Sequence, residues 1–135
     1  MKKIVFVFVS LFLIFGCKNS TDKKNDKKIK SENLVEVKDG VFTEWYPGRK
    51  IIKFQGGQNE LGNRDGKWTF YGEDGTELSY TQFSNGKKDG FSLVKYPNGN
   101  IHYTGEYQND AMVGVWSTFD EKGNLLSKKE YGERK

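Results

Sequence analysis

Apolar and polar residues alternate along the chain from Asp39 onward, and short polar clusters interrupt the alternation at intervals of about ten residues. Trp68 and Phe70, for example, are separated by one polar residue and are followed by Asp74-Gly75. A period of two is typical of a β-strand, and Asp-Gly readily adopts the positive φ angles of a tight hairpin turn. No window has the period of an amphipathic helix. The pattern predicts an all-β fold of roughly eight short antiparallel strands in a meander.

Glycine recurs in this region at a constant spacing, from Gly66 to Gly90 and from Gly90 to Gly114. The other residues that define the pattern are Gly75, Gly99 and Gly123, each nine positions later, and Trp68 and Trp116, two positions after the first and the last leading glycine. A short fixed period predicts stacked hairpin units, here residues 39–64, 65–88, 89–112 and 113–135. In the second unit Leu78 and Tyr80 have opposite parity to Phe83, which predicts either a bulge or apolar side chains on both faces.

A longer motif covers the third and fourth units. The segment Tyr103-Thr-Gly-Glu-Tyr-Gln-Asn-Asp-Ala-Met-Val-Gly-Val-Trp116 resembles the MORN repeat, whose pattern is Tyr-x-Gly-Glu-(Trp/Tyr)-x-Asn-Gly-x-x-x-Gly. An aromatic residue stands two positions after the leading glycine. In this respect the chain is similar to the bacterial YwqK-type variant of the repeat, which is often labelled an antitoxin. Asp110 replaces the turn glycine of the pattern, and Ser92 replaces the aromatic residue. The resemblance implies one elongated, open sheet of stacked hairpins and, through the label alone, a partner.

The N-terminal segment, residues 1–16, follows a different pattern. Lys2 and Lys3 precede the apolar run Ile4–Phe15, and Gly16 stands directly before Cys17, the only cysteine. This order predicts a secretory signal peptide, and the apolar run is too short to span a bilayer core of ~30 Å as a helix.

The ending Ile14-Phe15-Gly16-Cys17 resembles the lipobox of bacterial lipoproteins. The resemblance implies that Cys17 is acylated on sulfur and becomes the new N-terminus, and that more than one acyl chain holds the protein on a membrane. Because Lys18 follows, where an aspartate can signal retention in the inner membrane, we expect the outer membrane of a diderm cell envelope. The alternative is an ordinary signal peptide followed by a free thiol.

Charge separates residues 17–38 from the remainder of the chain. This segment holds seven lysines against four acidic residues and has no apolar residue between Cys17 and Ile29, so we expect a disordered basic tether. From residue 39 onward there are 13 Lys and Arg against 14 Asp and Glu. The basic excess of the whole chain therefore belongs to the tether, and an exported protein does not meet nucleic acid. We predict no nucleic-acid partner.

The residue content also argues against catalysis. His102 is the only histidine, and Cys17 is assigned to lipid, so no Cys/His metal cluster can form and a Cys-His or Ser-His relay has at most one possible histidine. His102 lies in a strand-like run and is assigned no role. Pairs such as Glu73-Asp74 and Asp120-Glu121 flank predicted turns, where acidic residues are favoured for backbone reasons. We predict no enzyme activity, no cofactor and no metal.

Three binding functions remain. The first is a protein-binding or scaffold module of the envelope, because repeat sheets present extended surfaces and tyrosine and tryptophan are frequent interface anchors. The second is an immunity-type lipoprotein that neutralises a toxin, and the third is recognition of a glycan or cell-wall polymer through exposed aromatic rings.

Most of the aromatic residues are expected to form the core, because a sheet of this size has little else to bury. The last predicted strand, Leu125 to Tyr131, carries Lys128 and Lys129, and charges on an edge strand oppose pairing with another chain. We therefore expect a partner to meet a face of the sheet. Tyr71, Tyr96 and Tyr103 are the candidates for that face, because a phenol can anchor an interface while half exposed.

Overall fold

The computed structural model describes residues 32–135; the predicted signal peptide, Cys17 and the predicted tether up to residue 31 lie outside the described residues. The described chain contains nine strands: β1 (Val35–Lys38), β2 (Val41–Trp45), β3 (Ile52–Gln58), β4 (Arg64–Tyr71), β5 (Glu77–Ser84), β6 (Lys87–Lys95), β7 (Ile101–Gln108), β8 (Ala111–Phe119) and β9 (Leu125–Glu130). They form one open sheet in which each strand pairs antiparallel with the next along the chain. The predicted all-β antiparallel meander is confirmed. No helix in residues 32–135 is long and apolar enough to cross a membrane.

The sheet begins before residue 39, where the sequence placed the start of the β domain. Strand β1 pairs with β2 from Lys38 opposite Val41 to Val35 opposite Glu44. These four residues were assigned to the tether because of their charges, although Val35 and Val37 already alternate with polar residues. The prediction of eight strands was one short for the same reason.

Tight turns at one end of the sheet join β1 to β2, β5 to β6 and β7 to β8. Asn109 and Asp110 have φ angles of 48° and 69°, and Asn85 and Gly86 have 49° and 87°. Few residue types adopt this left-handed conformation at low cost, and asparagine, aspartate and glycine are among them. Asp110 stands where the motif has glycine, and its carboxylate accepts a hydrogen bond from the Lys88 N–H at 2.8 Å. This bond offsets part of the backbone cost.

The regularly spaced glycines all have positive φ angles. Gly66, Gly90 and Gly114 lie near the start of β4, β6 and β8 and have φ angles of 78°, 115° and 60°. The turn glycines at the other end of the sheet have φ angles between 84° and 90°: Gly48, Gly75, Gly99 and Gly123. A side chain at any of these positions would be strained, since L residues rarely adopt such angles.

Cross-strand pairing places most of the packed rings on one side of the sheet, which we call the aromatic face. Its rings belong to Phe42, Phe54, Trp68, Phe70, Phe83, Tyr103, Tyr107 and Trp116. The opposite, polar face carries ion pairs such as those of Glu77 with Lys67 and Lys95. Within residues 32–135, the rings of the aromatic face have no second layer of backbone over them.

The register of the second predicted unit shows both of the alternatives that the sequence left open. Phe83 packs edge-on against Trp68 on the aromatic face, with ring centroids 6.3 Å apart. Tyr80 lies on the polar face, where its ring is 5.9 Å from that of Phe91. The pairing of β5 with β6 also shifts between Thr81 and Phe83. Apolar side chains thus occupy both faces, and an irregularity is present as well.

Each tryptophan of the aromatic face lies against a glycine of the preceding strand. Trp68 is opposite Gly56, and Trp116 lies over Gly105. A Cβ atom added to either glycine would fall inside van der Waals contact with the indole ring. The indole Nε1–H of Trp68 donates to the Gly57 carbonyl at 2.7 Å. The indole Nε1–H of Trp116 donates in the same way to the carbonyl of Glu106, the residue after Gly105, at 3.1 Å.

The cross-strand pair midway between the two tryptophans consists of neither a tryptophan nor a glycine. Ser92 lies at this midpoint of the sequence and is opposite Thr81. The two hydroxyl oxygens are hydrogen-bonded at 2.7 Å, and Ser92 is buried. A pair of small polar side chains thus replaces the ring and its glycine together, and no buried side-chain polar atom in residues 32–135 lacks a hydrogen bond.

The contact between tryptophan and glycine yields a stability prediction. Gly56→Ala and Gly105→Ala should each lower the free energy of unfolding by about 1–3 kcal/mol, because the new methyl group overpacks the indole ring. The control is Gly132→Ala, where an added Cβ would meet no atom within 4 Å. Chemical denaturation of the full-length chain in detergent measures the difference. Equal stability of all three variants would contradict the assigned packing.

Candidate functional site

A hollow of about 440 Å³ opens on the aromatic face, over strands β7, β8 and β9. We refer to it as the hollow throughout. Its lining is rich in rings and contains no acidic residue: His102, Tyr103, Tyr107, Met112, Trp116, Thr118, Ser127, Lys129 and Tyr131.

Trp116 forms the floor of the hollow. Its side chain is 6% exposed, and Tyr107 packs edge-on against it with ring centroids 4.9 Å apart. Tyr103 is tilted against the same indole at 6.1 Å. Trp116 therefore packs on Gly105 from below and against a tyrosine ring on each side.

Polar and basic groups surround this floor. His102 lies between Tyr96, at a ring distance of 4.4 Å, and Tyr103, at 5.2 Å. The ammonium nitrogen of Lys129 lies 4.8 Å from the centre of the Tyr131 ring, which is the range of a cation–π contact. The site therefore combines flat apolar surfaces with hydrogen-bond donors and a positive charge.

The hydroxyl of Tyr103 remains a donor across the neutral pH range. Partial burial, and to a smaller extent the neighbouring Tyr107, raise the pKa of Tyr103 above the ordinary value of tyrosine. The neutral phenol can offer its O–H to a ligand, and the ring keeps its apolar face for stacking.

The structure does not bring the three predicted tyrosines onto one surface. Tyr103 lines the hollow. Tyr96 contacts His102 at its rim, and its hydroxyl donates to the Phe119 carbonyl at 2.9 Å, so this phenol ties a turn to the neighbouring strand. Tyr71 lies in another depression, beside Ile51.

Sequence reasoning missed most residues of the hollow. Tyr107 and Tyr131 are among the aromatic residues that the sequence predicts for the core, because a sheet of this size has little else to bury. His102 was given no role, and Lys129 was considered only as an edge charge. One sequence signal could have found the site. Position 118 has threonine, whereas position 70, two repeat periods earlier, has phenylalanine.

The acidic turn residues are engaged in backbone and side-chain hydrogen bonds. Hydrogen bonds from Thr76 lower the pKa of Asp74, and hydrogen bonds led by the Asn124 side chain lower that of Asp120. Within residues 32–135, no group of three or more His, Cys, Asp or Glu side chains is placed to hold a metal ion.

Comparison of the chain with protein-family models, curated proteins and solved structures finds no match.

The raised pKa of Tyr103 predicts a pH dependence of stability. The folded protein binds the phenolic proton more tightly than the unfolded chain, whose tyrosines ionise near pH ~10. The free energy of unfolding should therefore fall as pH rises from that value through the raised pKa, and Tyr103→Phe should flatten the slope. Denaturation at several alkaline pH values measures it, with Tyr71→Phe as the control outside the hollow. An unchanged slope in the Tyr103 variant would contradict the proposed burial effect.

Proposed function

We propose that this protein is a lipoprotein of the bacterial cell envelope and that it acts as a protein-binding or scaffold module through the aromatic face of its sheet. Acylation of Cys17 attaches it to a membrane, the outer membrane in a diderm cell. The lipobox-like end of the N-terminal segment supports the anchor. The proposed role is binding, without enzyme activity.

The equivalence of the hairpins supports relating the chain to the MORN-like repeats. The regularly spaced glycines share positive φ angles, and the two tryptophans share the same contact with a glycine and a following carbonyl. In this proposal the repeated hairpin supplies a stable scaffold, and departures from the repeat create the binding site.

The hollow is the observation that carries the binding proposal. Its buried floor, half-buried tyrosines and basic rim have the composition of a recognition site, in which aromatic anchors are surrounded by polar groups. An immunity function would be a special case in which the partner is a toxin.

A glycan is the second candidate ligand. The hydroxyls of Thr118 and Ser127 stand beside uncovered ring faces, and this combination also suits a sugar ring. The two candidates differ in what must enter the hollow: an amino-acid side chain of a partner or a sugar unit of a polymer.

The anchor is tested by Cys17→Ser. We expect the precursor to remain unprocessed by lipoprotein signal peptidase and to take up no fatty-acid analogue, because the acylated sulfur is absent. Metabolic labelling and gel mobility measure both effects, and Gly132→Ala is the control. Acylation of the Cys17 variant would refute the anchor, and wild-type protein in the inner-membrane fraction would refute the outer-membrane location.

The binding face is tested by site-specific photocrosslinking in living cells. A photoreactive residue at Ser127, which lines the hollow, should capture an envelope protein as a discrete adduct. The same residue at Lys128, the next position on β9 and paired with Ser117 on the polar face, is the matched control. Equal adducts from both positions, or none from Ser127, would count against binding at the hollow.

A further inference from the structure

The aromatic face contains two clusters of side chains at corresponding positions. In the first cluster Gly56 lies under Trp68, and Phe54 is the cross-strand partner of Phe70. In the second, Gly105 lies under Trp116, and Tyr103 is the cross-strand partner of Thr118. The pairing of β3 with β4 in the first cluster thus corresponds to the pairing of β7 with β8 in the second. Each residue of one cluster therefore has a counterpart in the other.

A ring is present at one of these positions in the first cluster and absent in the second. The Phe70 ring covers Phe54 with a centroid distance of 5.3 Å and an interplanar angle of 36°. Thr118 is too short to cover Tyr103 in this way, and it lines the hollow instead. The hollow therefore lies where the same sheet, four strands earlier, places a phenylalanine ring.

The cross-strand partners of the two tryptophans also differ in charge. Lys129 is the cross-strand partner of Trp116, and Thr81 is the corresponding partner of Trp68. The ion pairs found among residues 32–135 do not include Lys129. Since no acidic side chain lines the hollow, the ammonium group can receive a carboxylate from outside the chain.

We propose that the hollow receives an aromatic side chain of a partner protein, with an acidic residue next to it. The inference rests on the proposed binding function and names the chemistry of its partner. The incoming ring takes the place that Phe70 occupies in the first cluster and stacks on Tyr103 above Trp116. The adjacent carboxylate binds Lys129. The partner is therefore specified by two features: an aromatic ring that fills the hollow and a carboxylate that binds Lys129.

The proposal is tested with the full-length chain in detergent micelles and four probes. They are the capped dipeptides Asp-Phe, Asp-Leu and Asn-Phe and a short oligosaccharide of glucuronic acid. Binding is followed through the NMR signal of the Trp116 indole N–H, assigned by its loss in Trp116→Phe. Asp-Phe should shift this signal and bind about tenfold more tightly than Asp-Leu, the size expected for one aromatic pair.

Variants at two positions, 118 and 129, separate the ring site from the charge. Thr118→Phe fills the hollow with the chain's own ring and should abolish the shift by Asp-Phe, and Thr118→Ser keeps the hollow open and should retain it. Lys129→Gln should remove the preference for Asp-Phe over Asn-Phe. Lys129→Gln tests the proposed partner chemistry even where circular dichroism shows that Thr118→Phe is misfolded.

The proposal would be overturned by equal binding of Asp-Phe and Asp-Leu, by binding of Asp-Phe to a folded Thr118→Phe variant, or by binding of the oligosaccharide with no binding of Asp-Phe. The last would assign the hollow to a glycan. Failure of the dipeptides beside a discrete crosslink from Ser127 would refute the partner chemistry and leave the binding function intact. Absence of the crosslink would refute protein binding at the hollow itself.

Discussion

The contact between a tryptophan ring and a glycine backbone is the interaction on which the rest of this sheet depends. A single sheet has no second layer against which to bury large side chains, so a ring leaves water only by lying on the backbone beneath it. Gly56 and Gly105 make this possible by lacking a Cβ atom, and Trp68 is consequently only 2% exposed. The adjacent carbonyl satisfies each indole N–H, which removes the cost of burying a donor.

The same interaction explains why the aromatic face is divided into two clusters. Between the tryptophans, Thr81 and Ser92 replace the glycine and the ring at once, and their hydroxyls satisfy each other. A tryptophan at position 92 alone would collide with the side chain of Thr81, so the two changes depend on one another. The interruption lets the clusters differ: the first is filled by phenylalanine rings, and the second remains open as the hollow.

Cations complete the packing of the aromatic face in place of a second layer. Arg64 lies 4.3 Å from the Trp68 ring centre, and Lys88 lies 4.7 Å from that of Tyr107. Such contacts cover rings with aliphatic stems and keep the charge in water. On the polar face, the carboxylate of Glu77 lies between Lys67 and Lys95. The hollow is centred on β8, which lies seven strands away from β1 along the sheet, or ~33 Å at the usual strand spacing.

Local features of the sequence determined the strands, their antiparallel order and the positions of the turns. Alternation at period two and dipeptides such as Asn85-Gly86 act over a few residues, so they can be recognised without knowing the partners. The exception was β1, where charge concealed the alternation of Val35 and Val37.

Only the tertiary structure decided where the hollow lies. It arises from Tyr103 lacking a ring on its cross-strand partner Thr118, and such pairs depend on register, which bulges shift by one residue. The same dependence places Tyr71 away from Tyr103, although the sequence predicts both for one binding face. The residues of one strand can be read directly from the sequence. The space above a ring, however, depends on residues of neighbouring strands, which come beside it only in the folded sheet.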